Sequence, residues 1–222
     1  MRRNNTLTTL FLDIGGVLLT NGWDHQARRR AAKHFDLNWA EMQEQHELNF
    51  ETHEMDKITF REYLDRVIFW RERAFTRTEF RRFMFAQSKP CAGMIALVRN
   101  LKAKYGLKII VVSNESRELN AYRIRQFKLD GFVDAFISSC FVHLRKPDAD
   151  IFRLALDIAQ VPACQIVYIE NTPLFVQIAA SFGIRNILHT GYKSTCAKLS
   201  SLGLRHGEGI IPQLKNLRQG NG

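Results

Sequence analysis

Leu10-Phe11-Leu12-Asp13-Ile14-Gly15-Gly16-Val17-Leu18-Leu19 is the stretch on which the fold turns. An apolar run of strand type meets one carboxylate, then two glycines, then more aliphatic residues. A charge is costly inside a strand buried on both faces, so Asp13 is expected at the strand's C-terminal end. In an open α/β sheet that end is where ligands bind. The two glycines allow the backbone to turn and approach a ligand closely. Taken alone, the same residues also fit a strand and a turn with an ordinary aspartate. The rest of the chain separates the two.

Further apolar segments of the same kind follow at Lys108–Val112, Ala135–Ser138 and Gln165–Ile169, with a fifth at Arg185–Leu188; the first covers Thr8–Leu12. Short continuous apolar runs mark strands buried on both faces. Helical patterns at Gly93–Tyr105, Leu119–Phe127, Asp148–Ala159 and Leu174–Phe182 lie between the later ones. This alternation predicts an α/β fold with a doubly wound parallel sheet. Residues 21–88 hold no convincing strand. Four amphipathic helices fit there: Asp24–Phe35, Trp39–Phe50, Thr59–Trp70 and Arg77–Phe85. Asn38 is the expected N-cap of the second, and Thr59 with Glu62 forms a capping box for the third. The aromatics Phe60, Tyr63, Phe69, Trp70, Phe80, Phe83 and Phe85 are expected to fill the core of this block. The expected division is a core of residues 1–20 and 89–206, a helical cap of 21–88 inserted into it, and a flexible tail of 207–222 rich in glycine.

At 222 residues the chain can bury a substantial core. Its start, Met1-Arg2-Arg3 before an apolar stretch, resembles a secretory signal, but Asp13 interrupts the stretch and no small-residue cleavage site follows. No run is long enough to span a bilayer. Cys91, Cys140, Cys164 and Cys196 are scattered without CxxC spacing, as expected of free thiols in a reducing compartment. The expected location is the cytoplasm. The net charge of +10 favours anionic partners. No nucleic-acid-binding motif accompanies it, and its clusters, such as Arg28-Arg29-Arg30, also fit solvated helix faces, so the basicity permits a small anionic substrate without requiring one; a nucleic acid or a membrane is not expected.

Three more polar sites follow strand ends and so share the sheet edge with Asp13. They are Ser113-Asn114-Glu115, Arg145-Lys146-Pro147-Asp148 and Glu170-Asn171-Thr172. Carboxylate, hydroxyl, lysine and second carboxylate are the set a phosphoryl group needs: a nucleophile, hydrogen-bond donors, a fixed cation and acidic metal ligands.

The order Asp13, Ser113, Lys146, Glu170, at intervals of 100, 33 and 24 residues, resembles the four motifs of the haloacid dehalogenase (HAD) superfamily. Leu144-Arg145-Lys146-Pro147-Asp148 with Ile151-Phe152 is especially similar to the third motif. The resemblance runs from Thr8 to His189 and accounts for the long first interval by a helical cap. It implies a Rossmann-like core and a Mg²⁺-dependent phosphatase acting on a small phosphorylated metabolite. Asp13 would be the nucleophile, forming an aspartyl-phosphate, and also a metal ligand. Gly15 would add a backbone carbonyl to the metal, and Glu170 and Asn171 would complete its protein ligands. Ser113 and the Asn114 N–H would bind phosphoryl oxygens, and Lys146 would neutralise charge between nucleophile and phosphoryl group.

Three positions depart from the family's usual pattern. Gly15 stands where phosphatases carry a second aspartate as general acid and base, a role typically worth ~10²–10⁴ in rate. Asn171 replaces the second of two adjacent acids, and Phe175 replaces a polar residue. Asp24, His25 and Arg28, just after the first motif, are expected to face the site from the cap; Asp24 or His25 is a replacement proton donor, or simply a cap of the first helix. Two other functions stay open: a degenerate member that binds a phospho-ligand or partner without turnover, and a metal-independent 2-haloacid dehalogenase.

Overall fold

Strand residues alternate between two apolar layers, and this alternation builds the sheet. The computed structural model describes residues 6–205. Five parallel strands, β1 (Thr9–Leu12), β2 (Lys108–Ser113), β3 (Ala135–Ser138), β4 (Ile166–Glu170) and β5 (Arg185–Leu188), pair in the order β3-β2-β1-β4-β5. Leu10, Leu12, Ile109, Val111, Val167 and Ile169 point into one layer. Phe11, Ile110, Val112, Ile166 and Tyr168 point into the other. A strand needed on both faces has no polar position to spare, which is why the sequence reads as unbroken apolar runs.

Four helices lie between β1 and β2: α1 (His25–His34), α2 (Trp39–Glu54), α3 (Phe60–Val67) and α4 (Arg77–Ala86). They enclose their own apolar cluster around Ala31, Met42, Tyr63, Leu64 and Phe80. Asp24, Asn38 and Thr59 cap α1, α2 and α3 as their side chains predict, and Thr59 forms the full capping box with Glu62. The remaining helices are α5 (Ala92–Tyr105), α6 (Arg117–Gln126), the short α7 (Ser139–Val142), α8 (Ala149–Ala159), α9 (Pro173–Ser181) and α10 (Tyr192–Ser201). Among the described residues, no helix is long and apolar enough to cross a membrane.

The differences from expectation have local causes. The third helix stops at Val67 rather than Trp70, because Ile68 leaves helical geometry and Arg73 Nε donates to its carbonyl at 2.7 Å. Trp70 is then 51% exposed, outside the aromatic cluster assigned to it, with the Arg71 guanidinium stacked 4.5 Å from its ring. The second helix continues past Phe50 to Glu54, where His53 stacks on Tyr63 and Glu54 binds Arg145. Nothing in the sequence pattern suggested α10; its small polar residues hide a single apolar edge, Cys196 and Leu199, that joins the core. The glycine-rich segment from Gly207 lies outside the described residues.

The strand order reverses at β1, with β2 and β3 on one side and β4 and β5 on the other. Ligands of such sheets bind in the crevice at that switch point, beyond the strands' C-terminal ends. Asp13 follows β1 directly, Ser113 ends β2, and Glu170 ends β4. Three adjacent strands thus deliver the three residues to one crevice.

Candidate active site

Asp13 is 8% exposed, and Lys146 and Glu170 are more deeply buried. Lys146 Nζ lies 3.1 Å from Asp13 Oδ1 and 2.7 Å from Glu170 Oε2. It also lies 3.1 Å from Tyr168 Oη, whose hydroxyl donates to Glu170 Oε2 at 2.5 Å. The other oxygen, Glu170 Oε1, accepts the backbone N–H groups of Asn171 and Thr172, both at 2.8 Å. Four protein donors therefore hold Glu170, and direct metal ligation there would have to compete with them. Phe175 covers the ammonium, its ring centroid 4.8 Å from Nζ. An apolar residue at that position shields Lys146 from water.

Burial drives the electrostatics. It raises Asp13, Lys146 opposes this, and Glu170 adds to it, leaving the carboxyl at about 6. Burial pulls Lys146 down, but the Asp13 and Glu170 carboxylates more than reverse this, and it stays above its ordinary value. A lysine that is charged across the working pH range is what an anion-binding site requires.

Ser113, 1% exposed, accepts the Ile14 N–H at 3.4 Å, and its nearby hydroxyl acts to lower the Asp13 carboxyl. Asn114 makes two hydrogen bonds of 2.8 Å with the Lys146 backbone, fixing the lysine's loop to the end of β2. Gly16 has φ +73°, and a Cβ there would stand 2.2 Å from the Asn171 amide nitrogen, so only glycine fits. Gly15 differs: a Cβ would meet nothing nearer than Asn21 at 3.5 Å. The Asn171 amide has one end 2.9 Å from Glu170 Oε1 and 3.2 Å from the Gly15 carbonyl. With its nitrogen turned there, it donates to both. With its oxygen turned there, the three oxygens form a cluster that a cation would balance.

A cavity of about 470 Å³ opens between the crevice and the helical insertion. Asn21 and Asn114 form its wall on the sheet side, and Asp24, His25, Arg28 and Glu54 are among those facing them. Asp13 is not part of its lining. Asp24 accepts the Ala27 N–H at 2.8 Å and so spends its carboxylate on capping α1. His25 packs edge-on against Trp39. His143 is exposed, with Nδ1 2.8 Å from the Met55 carbonyl.

Four residues to which the motif reading gave no role belong to this region. Tyr168 sits two residues before Glu170 on the same strand face, a spacing that could have flagged it. Glu54 lines the cavity, is raised by burial against the pull of Arg145, and shares one oxygen with that guanidinium. Arg123 is 1% exposed and pairs with Glu115. It also donates to Ser88 Oγ at 3.0 Å and the Thr20 carbonyl at 2.9 Å, the two strands of chain that enter and leave the insertion. Burial raises Glu115 to about 7, with Arg123 opposing and Asp13 adding.

The family description "haloacid dehalogenase-like hydrolase" matches residues 7–183. This chain belongs to the HAD-like hydrolases. An HAD family enzyme of Bacteroides thetaiotaomicron, solved with magnesium and inorganic phosphate, superposes with a TM-score of 0.67 at 17% identity, over 82% of this chain and 93% of that one. A predicted HAD-like family hydrolase of Porphyromonas gingivalis gives 0.73 at 16% identity, over 89% and 98%. The L-2-haloacid dehalogenase of Xanthobacter autotrophicus, with chloropropionic acid covalently bound, gives 0.59 at 15% identity, over 90% and 84%. At these identities the likeness establishes the shared fold. Among curated proteins, one of Caldanaerobacter subterraneus subsp. tengcongensis, named as a candidate pyrophosphatase PpaX, is 27% identical over 82 residues. That match spans 37% of each chain.

Proposed function

We propose that this HAD-like hydrolase is a Mg²⁺-dependent phosphatase of a small phosphorylated metabolite, working through an aspartyl-phosphate on Asp13. The observation that carries the reading is the buried Lys146 ammonium, 3.1 Å from Asp13 Oδ1, at the switch point of the sheet. In this mechanism an Asp13 carboxylate oxygen attacks phosphorus and the ester P–O bond breaks, the departing oxygen taking a proton. Water then attacks the phosphorus, the bond to Asp13 breaks, and inorganic phosphate leaves. Lys146 balances charge on Asp13 and the phosphoryl group, and Ser113 with the Asn114 N–H binds phosphoryl oxygens. The relative named as a candidate pyrophosphatase, matched over 37% of its length, and the neighbour solved with magnesium and phosphate support this chemistry.

The donor set suits Mg²⁺. Asp13, the Gly15 carbonyl and Asn171 offer hard oxygens, and Mg²⁺ is usually held by one or two carboxylates, with substrate phosphate and water filling the rest. When bound it would draw electron density from the phosphoryl oxygens. Of the cavity's carboxyls Glu54 is half-buried and held above its ordinary value; Arg145 binds one of its oxygens, and the other, with no hydrogen bond among the described residues, is the candidate to protonate the leaving group.

Dehalogenation of a 2-halo acid is the second reading. Glu170 is matched by Lys146, Tyr168 and two N–H groups, so its charge does not repel an acid substrate as an isolated carboxylate would. One experiment separates the functions: phosphate release from p-nitrophenyl phosphate with and without chelator, beside chloride release from 2-chloropropionate. Phosphate release lost with chelator and in Asp13→Asn is expected. Chelator-insensitive chloride release would replace the proposal, and no turnover of either compound would favour a silent binder.

A further inference from the structure

We propose that the cavity beside the Asp13 site takes a leaving group bearing a second anionic substituent, a carboxylate or a phosphate, and that Arg28 reads it. The inference rests on the phosphatase reading. Arg28 is 8% exposed, yet no carboxylate of the described residues pairs with it. Its Nε donates to Gln43 Oε1 at 3.0 Å and its Nη1 to the Trp23 carbonyl at 2.7 Å, both neutral acceptors. These two bonds fix the guanidinium plane and leave Nη2 without a partner among the described residues. Asp24, Glu47 and Glu54 act on it only from a distance, too weakly to offset its burial. A buried cation without a counter-ion is unfavourable unless something supplies one, and a fixed guanidinium fork matches a carboxylate or phosphate edge.

Two histidines also line the cavity. Trp23 Nε1 donates to Tyr63 Oη at 2.8 Å, and His46 Nδ1 hydrogen-bonds the same oxygen at 2.7 Å. Burial holds His46 down at about 3, so it is neutral, and its Nε2 has no hydrogen bond among the described residues. His53 is 5% exposed, and neither ring nitrogen finds a hydrogen bond of good geometry, although the Ile58 backbone lies close. Burial also holds His53 below its ordinary value, at about 4, so both imidazoles are neutral and Arg28 is the buried cation on this cavity. The wall opposite is Asn21 and Asn114, which border the Asp13 crevice. A substrate with its phosphoryl group at Asp13 would therefore extend past them toward Arg28.

The test compares three alkyl phosphates of similar length: glycerol 3-phosphate with a neutral leaving group, 3-phosphoglycerate with a carboxylate, and propane-1,3-diyl bisphosphate with a phosphate. The protein is expected to favour one or both anionic substrates over glycerol 3-phosphate by roughly 10- to 100-fold in kcat/KM. The arm with the larger ratio identifies the substituent. Arg28→Gln is expected to bring that ratio near one, mainly through KM, and Arg28→Lys to leave an intermediate ratio. A folding defect in one variant lowers all three substrates together and leaves the ratio readable, and the lysine variant covers a glutamine variant that does not fold. No preference in the native protein, or the native ratio retained in both variants, overturns the proposal. Absence of phosphate release from every substrate, p-nitrophenyl phosphate included, overturns the phosphatase reading and takes this one with it.

Discussion

Lys146→Met removes one buried ammonium and keeps most of its volume, which makes it the cleanest perturbation of the site. In the native protein a single cation sits against two buried carboxylates, 3.1 Å from Asp13 and 2.7 Å from Glu170. Removing one partner of a buried ion pair typically costs about 3–5 kcal/mol, because a charge is left uncompensated. The cost must depend on pH. Asp13 stands at about 6 even with Lys146 pulling it down, against an ordinary 3.8. A carboxyl raised in the folded state keeps its proton where the unfolded chain has lost it, so its contribution to stability falls as pH climbs from the unfolded to the folded value. In the native protein that window runs from about 4 to about 6. Without Lys146 the Asp13 value rises further, and each unit adds about 1.4 kcal/mol. The stability difference between the two proteins should therefore be smallest at pH 5 and grow toward about 3–5 kcal/mol at pH 8. Urea unfolding of both at pH 5, 6, 7 and 8 measures it. A difference that stays constant across the four would refute the account of Lys146 as a counter-ion to Asp13.

Three other outcomes are expected. Turnover should fall about tenfold from pH 7 to pH 5 as Asp13 takes its proton, with an acid limb near 6 in a kcat/KM profile; a flat profile there would speak against Asp13 as the attacking nucleophile. Gly15→Asp meets only ordinary contacts at its Cβ, so it should fold. It should speed glycerol 3-phosphate hydrolysis by about 10²-fold while helping p-nitrophenyl phosphate, whose leaving group needs no proton, far less. Equal effects on both would mean that proton donation does not limit the native protein. Asn171→Asp removes the amide donor that can satisfy Gly15 and Glu170, so it should cost about 1–3 kcal/mol in chelator. Mg²⁺ should restore that stability in thermal unfolding, and an unchanged melting temperature in chelator would contradict the assignment.

The strands and the four motif residues were legible because each follows from a strong local rule. Continuous apolar runs mark buried strands, and a charge at the end of one marks the sheet's functional edge. What escaped was set by tertiary contacts. Helix α10 has little apolar periodicity and exists because Cys196 and Leu199 find the core. Trp70 looks like core by composition, but Arg73 ends α3 before it and leaves it outside. Glu54 lies beyond the expected end of the second helix and Arg123 within an expected helix, and neither carries a motif; only the fold shows one in the cavity and the other buried across the neck of the insertion. The emptied position at Gly15 was visible at once. The partners that occupy Glu170 were not: Tyr168 and the Asn171 and Thr172 N–H groups are its sequence neighbours, but only the turn after β4 aims them at its carboxylate, and Lys146 arrives from another loop.

The central claim is that Asp13 becomes phosphorylated during turnover. Borohydride added to the protein while it hydrolyses p-nitrophenyl phosphate reduces an acyl phosphate to an alcohol, and peptide mass spectrometry locates the product. Conversion of Asp13 to homoserine, absent without substrate and absent in Asp13→Asn, is the predicted result. Continued phosphate release with Asp13 unmodified, or from Asp13→Asn at the native rate, would contradict it.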